Sequence, residues 1–220
     1  MTTPAPRTTA CPNCGASIRF MWAQAVQTTC TYCRAVLVRN DLDLTLVGKQ
    51  ANFPETGSPI QIGTEGRWNG KRFTVVGRIA YGWERGRWNE WYCRLANGES
   101  AWLSDAQLEY AMSVEAAPGV LPQEPFSLNV GDTHIWNNRA YDVSTITRAR
   151  YLGTEGELPF SSYSRDECVF VDLQNDAGQM ATLDYSDTPP TLYLGEYCDF
   201  ASLDFTGLRE FEGWDLGARS

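Results

Sequence analysis

The sequence predicts a mainly β protein: a small cysteine-bearing module at the N-terminus, then two duplicated small β-barrel-like units of SH3-like size. Three observations carry that prediction. Four of the seven cysteines fall in two closely spaced pairs near the start. Beyond residue 60, short runs of alternating apolar and polar residues are punctuated by Asn-Gly dipeptides, as strands joined by tight hairpins require. Two stretches of this β-rich part also resemble each other.

The cysteine pairs come first. "CPNC" holds Cys11 and Cys14, "CTYC" holds Cys30 and Cys33, and fifteen residues separate the pairs. That spacing is typical of zinc sites. Each C-x-x-C turn points two sulfurs at one place, and two such turns close a tetrahedron of thiolates around a d10 ion. All four ligands come from protein, so no position remains for a reacting water. The metal is expected to supply folding energy to a piece too small for its own core. Cys93, Cys168 and Cys198 are scattered and read as packed thiols.

The repeat sets the rest of the architecture. "IGTEGRWNGKRFTVVGR" from Ile62 and "VGDTHIWNNRAYDVSTI" from Val130 match at an offset of 68, pairing Trp68 with Trp136, Phe73 with Tyr141 and Val75 with Val143. A second block lays "WYCRLANGESAWL" over "VFVDLQNDAGQMATL" with a two-residue insertion, so that Leu95 meets Leu173 and Asn97 meets Asn175. Asn69-Gly70 and Asn97-Gly98 predict two-residue type I′ turns. "SDAQLEYAM" at 104–112 reads as a helical turn or two capped by Ser104. The expected division is a zinc ribbon at 1–40, a linker at 41–59, a first β unit at 60–113, a linker at 114–125, and a second β unit with its tail at 126–220. Two separate barrels and one shared two-lobed domain both satisfy this pattern.

"WNEWY" at 88–92 is the densest aromatic stretch. Strand alternation puts Trp91, Cys93 and Leu95 on one face, which reads as core. Trp88, Glu90, Tyr92 and Arg94 fall on the other, where two aromatics flank a carboxylate, an arrangement suited to a cation or a peptide. The competing reading packs Trp88 and Tyr92 against the other unit or the tail.

Charge narrows the partners. The net charge is -9; residues 1–40 carry Arg7, Arg19, Arg34 and Arg39 with no acid, whereas residues 116–220 carry 17 acids against 6 arginines. The acidic half repels phosphate backbones, which disfavours nucleic acid as a partner. No apolar run approaches the roughly 18–20 residues of a membrane span, and the start has no apolar signal region, so membrane insertion is not expected and a cytoplasmic location is. His134 is the only histidine, and Asp166 and Glu167 are neighbours that a strand would point apart. No nucleophile or phosphate-loop motif is present, so no enzyme is expected.

The quoted cysteine pairs, "SPIQIGTEG", "FTVVGRI", "WNEWY" and "AWLSDAQ" resemble a bacterial family known as domain of unknown function forty-one seventy-eight, and the resemblance spans nearly the whole chain. Its members look like zinc-ribbon plus β-domain proteins. The resemblance implies an accessory role near polyamine chemistry or envelope stress. The expected function is therefore a non-enzymatic adaptor or binding protein with an unidentified protein partner. The alternative is a module for a polyamine or another cationic ligand, and a nucleic-acid-binding ribbon ranks below both.

Overall fold

In the computed structural model, which describes residues 8–40, 43–50, 55–117, 119–161 and 167–210, β8 (Gly86–Leu95) carries the alternation that organises the chain. Trp91, Cys93 and Leu95 are buried in one apolar core, while Trp88 and Glu90 face an interior cavity. The same two-faced pattern runs through β7 (Lys71–Trp83), β9 (Ser100–Ala106) and β10 (Glu109–Ala116), and through β12 (Arg139–Leu158), β13 (Glu167–Gln174), β14 (Gln179–Asp184) and β15 (Thr191–Cys198). Among the described residues the chain is strand and turn, with two short 3-10 turns and no α-helix.

The two strand sets do not close on themselves. β7 to β10 pair consecutively, as do β12 to β15, and the sets then join edge to edge through β10–β15 and β7–β12. The pairings complete one antiparallel ring of eight strands. Two separate small barrels are thus replaced by a shared sheet, because four strands leave two open edges and each set satisfies them with the other.

The sets correspond in register. β6 (Glu65–Trp68) pairs β7, and β11 (Thr133–Trp136) pairs β12, at an offset of 68, and both long strands bulge at matching places, Val75/Gly77 and Val143/Thr145. Each set has its own core on the face away from the cavity, around Trp91, Leu103 and Met112 in one and Val171, Leu173 and Leu183 in the other. Chain segments cross over to seal them. Leu203 and Phe205, which follow β15, pack into the first core, and Leu121, which follows β10, packs into the second. The start of the C-terminal tail therefore belongs with the first unit and not the second. Thr206 pairs with Glu65 on the outer side of β6; residues 211–220 lie outside the described residues.

Three local expectations change. The stretch 104–112 is a β9–β10 hairpin and not helical, with Gln107 and Leu108 both at positive φ; pairing on both sides of each strand outweighs local propensity. Asn69-Gly70 forms the expected turn with both φ positive, but Asn97-Gly98 does not, because only Gly98 is positive and the loop closes from Leu95 to Glu99. Part of the 41–59 stretch is a strand, β5 (Asp43–Lys49), which covers the edge of β4 (Ala35–Asn40) and sends Leu44 toward the ribbon core.

The N-terminal module consists of a hairpin, β1 (Thr8–Ala10) with β2 (Ser17–Arg19), and a meander of β3 (Gln27–Thr29), β4 and β5. It extends the ring sheet, because β3 pairs with the far end of β12 at Glu157 and Leu158. Where β7 passes that end, a Cβ on Gly77 would lie 2.0 Å from the Glu157 carbonyl oxygen. Gly77→Ala is expected to cost stability at the upper end of the about 1–3 kcal/mol of overpacked sites. A urea midpoint equal to that of the wild type would refute so close a crossing.

Candidate functional site

Two constellations stand out, one of sulfur and one of carboxylates. The first is built from a turn used twice. After Cys11, Gly15 donates its N–H to the Cys11 carbonyl at φ 75°; after Cys30, Arg34 does the same to the Cys30 carbonyl at φ 57°. These turns bring Cys11, Cys14, Cys30 and Cys33 together with their sulfurs all within 4.8 Å of one another. The Cys11–Cys33 and Cys14–Cys30 sulfurs are 3.7 and 3.8 Å apart. That is far too long for a disulfide. It equals the edge, about 3.8 Å, of a tetrahedron with metal–sulfur arms of about 2.3 Å. The four residues are placed to hold a metal ion.

The second is a cavity of about 540 Å³, open to one side and lined by the strands of the ring. Tyr81, Trp88 and Phe170 pack on one another at 5.1 to 5.9 Å and form one wall. Trp102 and Phe160, stacked at 6.1 Å, form another. Glu90 stands between them, fixed by two donors: the Trp88 indole N–H at 2.9 Å and the Ser104 hydroxyl at 2.8 Å. Burial raises its pKa to about 8, against the lowering by those two hydrogen bonds, and the charges of Asp172 and Asp184 push in the same direction as burial.

Asp172 and Asp184 come from the opposite strand set and line the same space. Asp172 accepts from Thr182 at 2.7 Å and Thr145 at 3.2 Å, and burial raises its pKa. Among the described residues no lysine or arginine forms an ion pair with Glu90 or Asp172. Four acids line the cavity, Glu109 being the fourth, against one base, Arg87. Such a space is acidic and aromatic, and among the described residues its Glu90 and Asp172 carboxyls form no ion pair with a base.

The four residues of the WNEWY face divide. Trp88 and Glu90 line the cavity. Tyr92 and Arg94 instead meet the ribbon: Tyr92 lies 5.4 Å from the Trp22 ring, and the Arg94 guanidinium sits 4.7 Å over it. Both also bond Ser100, at 2.6 Å each. The competing reading, packing of Trp88 and Tyr92 against the other unit or the tail, describes Trp88, whose ring lies 5.9 Å from Phe170 of the second strand set, whereas Tyr92 packs on the ribbon instead.

Asp172, Asp184 and Thr182 were not singled out from the sequence, and Ser104 was read only as a helix cap; for the two aspartates the reason is register. The structure sets Val75 opposite Cys93 and Val143 opposite Leu173, so Leu173 corresponds to Cys93 and not to Leu95. The loops after β8 and β13 close with the same bonds, from Leu95 to Glu99 and from Asn175 to Gln179. No insertion separates them; the offset is 80 throughout, and Asp172 takes the place of Tyr92 and Asp184 that of Ser104. A two-residue error preserves the faces of a strand, which is why the core reading survived it.

The remaining titratable candidates lie elsewhere. Cys93, buried, donates to the Trp91 carbonyl; Cys168 donates to the Ala149 carbonyl; Cys198 donates to the Glu196 carbonyl. His134 stacks on Trp136. Glu167 is exposed on β13, and Asp166 is outside the described residues. Among the described residues no helix is long and apolar enough to cross a membrane.

No curated protein and no solved structure matches this chain. Residues 61–200, which hold the whole ring, match one family across most of the chain's length, and the chain belongs to it: the domain of unknown function DUF4178.

Proposed function

We propose that this chain is a non-enzymatic binding protein whose ring cavity takes a small organic cation, such as a polyamine, and whose four-cysteine ribbon holds a structural zinc. One observation carries the reading: Glu90 from one strand set and Asp172 from the other converge on an aromatic-walled cavity, and among the described residues no base forms an ion pair with either. A buried carboxylate without a counter-charge is costly, and a cation entering the cavity removes that cost while its alkyl part lies on the rings. The net charge of -9 favours approach of a cation at low salt. The matching registers of the two strand sets support an origin by duplication, with the cavity formed where the copies meet. Cys11, Cys14, Cys30 and Cys33 supply four thiolates, the donor set that suits zinc in a closed, non-catalytic site.

Titration calorimetry of the full-length chain with spermidine and with tetramethylammonium at low salt tests the cavity. Uptake of at least one is expected, weakened tenfold or more in Glu90→Gln, since the carboxyl that a bound cation ionises is removed while a side chain of the same shape is kept. Absence of heat with both cations, or equal affinity in Glu90→Gln, would falsify the reading.

An adaptor role for the ribbon is the second reading, favoured by Tyr32, which is 78% exposed at the tip of the second cysteine turn. Capture of one partner by the wild type and its loss in Tyr32→Ser would support it; the same proteins captured by both would count against it.

A further inference from the structure

Trp22 is the one described residue that packs against both the cysteine-bearing core of the ribbon and the aromatic cluster behind the cavity. It lies in the segment joining the two cysteine turns. Its backbone N–H and that of Met21 donate to the Glu157 carboxylate at 2.8 and 2.5 Å, which fixes the segment to the end of β12. Its ring rests on Tyr92 at 5.4 Å, and Tyr92 rests on Trp102 at 5.0 Å. Trp102 then stacks on Phe160, and both line the cavity. Phe160 itself follows Leu158, whose pairing with β3 makes its position depend on the ribbon as well.

We propose that Trp22 is a positioning residue for the cavity, through which metal binding in the ribbon and cation binding in the ring are coupled. The inference rests on the cation reading above. A folded ribbon presents Trp22 to Tyr92, and Tyr92 holds Trp102 in the cavity wall. Without the ribbon, Tyr92 loses the ring on one of its faces, and the wall is free to relax into the space. Such coupling is reciprocal: whatever the metal does for cation affinity, the cation does for metal affinity.

Reciprocity gives a readout that simple structural support would not move. Zinc-loaded full-length chain is equilibrated with a colorimetric chelator, with and without saturating spermidine. In the wild type spermidine is expected to tighten zinc retention by about fivefold or more, the lower end of typical couplings. In Trp22→Leu, retention without spermidine stays near the wild-type value and the spermidine effect disappears. Should Trp22→Leu itself weaken zinc retention, Tyr92→Leu breaks the relay from the ring side, away from the ribbon core. A spermidine effect that persists in both variants overturns the coupling. So does its absence in a wild type that takes up spermidine by calorimetry. A wild type that takes up neither spermidine nor tetramethylammonium instead overturns the cation reading beneath it; where tetramethylammonium alone is taken up, it replaces spermidine in the retention assay with the same expected outcomes.

Discussion

Stripping the proposed metal ion is expected to unfold the described ribbon, residues 8–40 and 43–50, and leave the ring standing. Cys30 is fully buried among Cys11, Ile18, Phe20 and Leu37, a core of few side chains that cannot offset the chain entropy of the ribbon alone. Metal binding in such modules supplies about 10–16 kcal/mol in isolated fingers, which exceeds what this core contributes. The ring has two larger cores of its own, and its eight strands pair without the ribbon. After chelation, or in Cys30→Ser, limited proteolysis should cut within residues 8–50 while the portion from about 55 onward persists. Protection of the N-terminal segment after complete metal removal would show that packing against Trp22, Glu157 and β12 holds the ribbon by itself.

Cation affinity is expected to rise with pH between about 6 and 8 and then level off. Glu90 has a folded-state pKa of about 8, so below that value the free protein carries its proton. A bound cation favours the carboxylate and lowers the pKa, so binding at pH 7 releases a proton, up to about one per site. The charged groups facing Glu90 act in the same sense: Asp172 and Asp184 resist its ionisation until a cation screens them. Calorimetry in two buffers of different ionisation enthalpy counts the protons. Glu90→Gln should release fewer and show a flatter pH profile. Release that is unchanged in Glu90→Gln would assign the proton to another group.

Stability follows the opposite course. Glu90, and Glu157 with its pKa raised to about 7 by burial, hold protons in the folded state that their unfolded forms, near 4.5, release. Their contribution is fully present below about pH 4.5 and is lost as pH rises through 7 to 8. Glu157→Gln should therefore flatten the pH dependence of the urea midpoint in that window.

The four-cysteine site was legible in the sequence, because two C-x-x-C turns create their geometry locally and need nothing beyond about twenty residues of chain. The core face of β8 was also legible, since alternation alone puts Trp91, Cys93 and Leu95 together. So was the correspondence of β6–β7 with β11–β12, which follows from a fixed offset of 68 and the turn at Asn69-Gly70. What only the tertiary structure decided is how the strand sets meet. Edge pairing of β10 with β15 and of β7 with β12 has no local signature: strands carry the same alternation whether their edges close on themselves or on another set. That choice creates the cavity, brings Asp172 and Asp184 across from Glu90, and turns Tyr92 from a binding-face candidate into the residue on which the ribbon rests. Side-chain direction along a strand is a property of the chain, but the company a side chain keeps is set by which edges find each other.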